Sequence, residues 1–86
     1  MSIESPLLRR ARALAHEAHA DQVRKAPRVP YASHLEAVVA ILAAHGVRDA
    51  IALAAAYLHD LLEDRPAFGA RLRREMPPAV VAVVEV

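Results

Sequence analysis

The run Ile51 to Leu62 contains neither Gly nor Pro and is rich in Ala. A stretch of that length and composition reads as a helix. On a helical wheel of about 100° per residue, His59 stacks one turn from Glu63, and Asp60 one turn from Asp64. These four polar residues share one arc. Ile51, Ala55, Leu58, Leu61 and Leu62 fill the opposite arc. The polar arc carries one imidazole and three carboxylates, with no Lys or Arg before Arg65. A solvated helix face usually mixes both signs of charge. Crowded carboxylates repel one another unless a cation sits among them, and imidazole with carboxylate suits a divalent transition metal.

A chain of 86 residues makes one small domain or part of one. Its residues are 56% hydrophobic but only 3% aromatic, so the core must be built from Ala, Leu and Val. That suits closely packed helices, and the expected fold class is all-α. A domain this short buries a modest share of its surface. A net charge of +1 gives no general attraction to DNA, RNA or an acidic membrane. The absence of Cys excludes disulfides and thiolate ligands and fits a cytoplasmic protein. No apolar run approaches the roughly 20 residues of a membrane span.

Local signals punctuate the chain into about five helices. Ser5 and Pro6 form a helix start, followed by an apolar stripe of Leu7, Ala11, Leu14, Ala15 and Ala18. That helix is expected to reach about Lys25 and to stop before Pro27. Arg24 and Lys25, in its last turn, would complement the helix dipole in solvent. Ser33, with Glu36 three residues on, reads as a capping box opening a second helix through Leu35, Val38, Val39 and Leu42. Gly46 ends it, with His45 capping the last carbonyls. His34 falls in the first turn, where it either caps or points into a cleft between helices. Asp49 is a candidate cap for the organising helix. Phe68 to Glu75 reads as a shorter helix with a basic face of Arg71, Arg73 and Arg74. Pro77-Pro78 opens an apolar segment, Ala79 to Val86, read as a helix rather than a strand. The chain stops inside this run, which reads as a domain cut short at its C-terminus.

Three segments together carry a resemblance. They are Ala18-His19-Ala20-Asp21-Gln22-Val23-Arg24-Lys25, Pro30-Tyr31-Ala32-Ser33-His34, and Ala55 to Asp64 with its His59-Asp60 and Glu63-Asp64 pairs. The set resembles the HD-domain superfamily. Within it the likeness is to the RelA/SpoT-type guanosine polyphosphate (ppGpp) 3'-pyrophosphohydrolases and their small stand-alone alarmone hydrolases. The resemblance implies that His34, His59 and Asp60 ligate a metal, usually Mn²⁺. It implies that Glu63 and Asp64 position or activate the attacking water, that Arg24 and Lys25 contact the nucleotide, and that His19 supports the site. The family's last metal ligand, an Asp, would fall downstream of Val86. This chain also has Asp21 where a Gly is usual, Leu35 where a Pro is usual, and Arg65 where a Thr is usual. The loop between Lys25 and His34 is one residue longer than in the family.

The residues by themselves support a hydrolytic metal site. Two imidazoles and a carboxylate leave open positions on the ion for water and substrate oxygens. A carboxylate one turn away can orient that water or accept its proton. The resemblance adds the substrate: ppGpp or pppGpp, cleaved to GDP or GTP and pyrophosphate. The other readings are an HD phosphohydrolase acting on another nucleotide, and a non-catalytic helical module that binds nucleotide or a partner protein. The partner expected in the first two is a nucleotide, with homo-oligomerisation open.

Overall fold

The computed structural model describes residues 5–23 and 29–85. Among the described residues six α-helices follow in order: α1 (Pro6–Ala18), α2 (Tyr31–Ala44), α3 (Ala50–Leu58), α4 (Leu61–Asp64), α5 (Gly69–Glu75) and α6 (Pro78–Val84). A 3-10 turn, Pro66–Phe68, joins α4 to α5. The described residues contain no strand, only an isolated antiparallel bridge between Val23 and Pro30. The fold is all-α, as the composition requires.

Helix α3 sits at the centre and packs against α1, α2 and α6. Leu53, Ala54, Tyr57 and Leu58 of α3 are buried, together with Ala11, Leu14 and Ala15 of α1. Ala at the contact points lets the helix axes approach closely. Leu35 and Val39 from α2, Leu61 from α4, Leu72 from α5 and Val80 from α6 complete the core. Fully burying one such leucine stabilises the fold by about 1.5–3 kcal/mol.

Where a boundary depends on local chemistry, the structure follows the sequence. The Ser5 hydroxyl accepts the Leu8 amide at 3.0 Å, with Pro6 at the first helical position. Gly46 adopts φ of +92°, the left-handed conformation that closes α2. The Val47 amide then reaches the Leu42 carbonyl and the Gly46 amide reaches Ala43, a Schellman closure. His45 Nδ1–H donates to the Ile41 carbonyl at 2.9 Å, and Asp49 caps the Ile51 amide at 3.0 Å. The segment after Pro77 is helical, not extended.

Three expected boundaries are corrected. First, α1 ends at Ala18, not near Lys25. The chain turns at His19, whose carbonyl accepts the Gln22 amide, and the Gln22 carbonyl accepts the Tyr31 amide at 2.8 Å. That long-range pairing holds Gln22 and Val23 out of the helix. Arg24 and Lys25 lie outside the described residues. Second, α2 begins at Tyr31 rather than after Ser33, and Ser33 makes no capping bond. Third, the organising helix breaks between Leu58 and Leu61. His59 Nδ1–H donates to the Ala56 carbonyl at 2.6 Å, the acceptor that the Asp60 amide would use in an unbroken helix. The break is why six helices appear where about five are read from the sequence.

Glu36 does not close a capping box because it ties three helices together. Arg12 Nε of α1 donates to Oε2 at 2.5 Å, His16 Nε2 stands 2.6 Å from the same oxygen, and the Tyr57 hydroxyl of α3 donates to Oε1 at 2.8 Å. Burial works against the charged carboxylate, but the hydrogen bonds from Arg12, His16 and Tyr57 together outweigh it and hold the pKa below the ordinary value of 4.5. A folded-state pKa below the unfolded one contributes stability above the unfolded value, and that stability is lost as pH falls through the folded value. In the presence of a chelator, the thermal midpoint is therefore expected to fall as pH drops below about 4.5. The fall should be shallower in Glu36→Gln. Thermal melts of both proteins across that range test this, and parallel curves would remove Glu36 from the acid response.

Candidate metal centre

The break after α3 sets the geometry of the site. His59 leaves the helix with its ring anchored by Nδ1–H on the Ala56 carbonyl. A neutral imidazole fixed in this way presents the lone pair of Nε2 outward. Nε2 stands 3.1 Å from Asp60 Oδ2. Two lone-pair atoms at that distance repel unless a proton or a cation lies between them. A backbone carbonyl holding the far nitrogen is also the outer support that metal-bound histidines commonly have. With metal–ligand bonds of about 2.0–2.2 Å, two ligands at right angles would stand about 3 Å apart. The pair fits one edge of a divalent ion's coordination shell.

Tyr31 organises the other side. Its hydroxyl donates to Asp60 Oδ2. Its ring meets His34 edge-on with centroids 5.5 Å apart, and packs on His19 at 4.7 Å. Tyr31 thus touches both Asp60 and His34, which is half-buried on the first turn of α2. Among the described residues, no three His, Asp or Glu side chains converge closely enough to hold an ion. Of the three expected ligands, the structure joins His59 to Asp60, and Tyr31 touches both Asp60 and His34.

The two expected catalytic carboxylates part company. Glu63 is exposed and lines a cleft of about 530 Å³ together with His59, Leu62, Arg73, Val84 and Glu85. Asp64 is turned towards the end of α1, where its Oδ2 accepts the Gln22 side-chain amide at 3.1 Å. Gln22 Oε1 accepts from His19 Nδ1–H at 2.7 Å and from Arg65 Nε at 3.2 Å. Arg65 also pairs with Asp21, Nη2 to Oδ1 at 2.8 Å. His19 is only 1% exposed, and its Nε2 is buried without a hydrogen-bond partner. His19, at the end of α1, thus touches Tyr31 on one side and Gln22 on the other.

Sequence reasoning gave Tyr31 and Gln22 no role. Each lies inside a segment that carries the resemblance, but their partners are 29 and 42 residues away. No local spacing announces such contacts.

The family model for the HD domain matches residues 11–86. The chain belongs to the HD-domain family, whose members are typically metal-dependent phosphohydrolases that bind divalent metals. Comparison with curated proteins gives no match. No helix among the described residues is long and apolar enough to cross a membrane.

Proposed function

We propose that this protein is a metal-dependent phosphohydrolase whose substrate is ppGpp or pppGpp, cleaved at the 3'-diphosphate to GDP or GTP and pyrophosphate. The observation that carries the hydrolytic reading is the His59–Asp60 pair, a ring nitrogen and a carboxylate oxygen 3.1 Å apart with the far imidazole nitrogen already committed. The guanosine substrate rests on the resemblance of the Gln22 to Lys25 and Tyr31 to His34 segments.

In this reading His59 and Asp60 hold the ion, with His34 as the third ligand. Tyr31 orients the Asp60 carboxylate by its hydroxyl. A divalent ion such as Mn²⁺ supplies electrophilic polarisation of the phosphoryl oxygens and makes water more acidic. Glu63, on the same cleft as His59, orients the attacking water and takes its proton. Asp64, tethered by Gln22, positions the end of α1 beside the site. Arg24 and Lys25 contact the nucleotide.

The test is a substrate panel. The protein is incubated with Mn²⁺ and ppGpp, other nucleotides or deoxynucleotides, with His59→Ala as control. Release of GDP and pyrophosphate from ppGpp, lost in the control, is the expected result. Turnover of another nucleotide with ppGpp left intact would keep the phosphohydrolase and reject the guanosine substrate. One observation favours a second reading, a binding module without turnover: no three donors converge among the described residues. Binding of ppGpp without cleavage, Mn²⁺ being present, would select it.

A further inference from the structure

The cleft lined by His59 and Glu63 also carries a cation. Arg73 of α5 lines the same cleft as the two candidate site residues, with Glu85 beyond the end of α6. Arg73 Nε donates to Glu85 Oε2 at 2.7 Å. The guanidinium is seated over Gly69. A methyl group built at Gly69 would lie 3.2 Å from Arg73 Nη1 and 3.3 Å from Leu62 Cδ2. Gly69 has an ordinary helical φ of −58°, so it is the close approach of the arginine, not backbone freedom, that a larger side chain would disturb. Leu62 is the immediate neighbour of Glu63. The packing therefore brings the arginine to the wall that carries the proposed water-activating carboxylate.

The other arginines of α5 are placed differently. Arg71 is held by Glu17 and Glu75 and lies 5.6 Å above the Phe68 ring. Arg74 is more exposed and comes no nearer than 4.0 Å to Glu75. Arg73 is the one that faces the cleft.

A guanidinium fork that accepts a carboxylate also accepts a phosphate, because both present paired anionic oxygens at matching spacing. We propose that Arg73 is a substrate-contacting residue that grips a phosphate or diphosphate group in this cleft. Glu85 is a built-in stand-in for that group, holding the guanidinium in place and yielding it when the phosphate arrives. The inference rests on the phosphohydrolase reading of the cleft but does not depend on guanosine. It assigns the anion-binding role to α5, whereas the sequence motifs place substrate contacts only at Arg24 and Lys25.

The test uses inorganic pyrophosphate as probe and needs no turnover. Pyrophosphate is titrated into the chelator-treated protein, with the arginine Nε–H resonances followed by NMR and affinity measured by calorimetry. The Arg73 resonance is expected to move, while that of Arg71 stays in place. Arg73→Gln is expected to weaken binding roughly ten- to a hundredfold. Arg73→Lys should recover part of the loss, because it restores the charge without the fork. Glu85→Gln should tighten binding roughly two- to fivefold by removing the competing carboxylate. Equal affinity for wild type and Arg73→Gln, or no pyrophosphate binding by the wild type, overturns the proposal. So does weaker binding by Glu85→Gln. If ppGpp is hydrolysed with an unchanged KM in Arg73→Gln, this inference fails and the proposed function stands. If pyrophosphate binds through Arg73 but ppGpp is left intact, the inference stands and the guanosine substrate fails.

Discussion

His59→Ala is expected to abolish binding of a divalent ion at this site. The His59 imidazole has its far nitrogen locked to the Ala56 carbonyl at 2.6 Å and its near nitrogen 3.1 Å from a carboxylate oxygen. Losing an outer-shell partner of a metal ligand typically costs 10–100-fold in affinity. Losing the ligand itself should cost more, enough to remove measurable Mn²⁺ uptake at micromolar protein. The fold should survive, because the His59 side chain is 44% exposed and outside the core. Equilibrium dialysis against Mn²⁺ reads the stoichiometry, and circular dichroism reads the helix content. Full stoichiometry in a folded variant would mean that His59 is not a ligand. Tyr31→Phe offers a graded comparison. It removes the hydroxyl that orients Asp60 while keeping the ring against His19 and His34, so it should weaken the ion without abolishing it.

The parts of this fold that were legible in the sequence are those decided by near neighbours. Ser5 with Pro6, His45 with Gly46, Asp49 and Pro77-Pro78 each act within a few residues, and each boundary falls where local chemistry puts it. Two of the three misplaced boundaries share one cause, competition from a partner farther along the chain, and the third comes from a side chain that takes a carbonyl three residues back. Tyr31 offers its amide to Gln22, so α1 stops early. Glu36 is drawn to Arg12, His16 and Tyr57, so it leaves no capping box at Ser33. His59 takes the carbonyl of Ala56, so the central helix divides. The site divides along the same line. Adjacency in the chain makes a His59–Asp60 pair easy to foresee. Whether His34 joins it depends on where Tyr31 lies, and that is set by the packing of α2 on α3. The helical spacing that stacks Glu63 under His59 and Asp64 under Asp60 treats the two carboxylates alike. Only the tertiary contact with Gln22 separates them.

That separation leads to an ordering of rates. Glu63→Gln is expected to lower kcat of the proposed hydrolysis by roughly a hundred- to ten-thousandfold, the usual contribution of a positioned general base. The amide keeps the size of the side chain and its ability to orient water, but it cannot take a proton at neutral pH. Mn²⁺ stoichiometry should be unchanged, because Glu63 lines the cleft rather than pairing with His59 or Asp60. Asp64→Asn should be milder. Asn keeps an acceptor oxygen for the Gln22 amide, which is the contact Asp64 makes in the structure. Gln22→Ala should resemble it, since both act on the junction between α1 and α4 rather than on the water. Measuring kcat, KM and bound Mn²⁺ for the three variants separates the roles. The decisive comparison is Glu63→Gln against Asp64→Asn. If Asp64→Asn is the more damaging in kcat while the metal stays bound, the proton acceptor lies on the Gln22 side. The cleft shared by His59, Glu63 and Arg73 would then lie beside the reaction rather than around it.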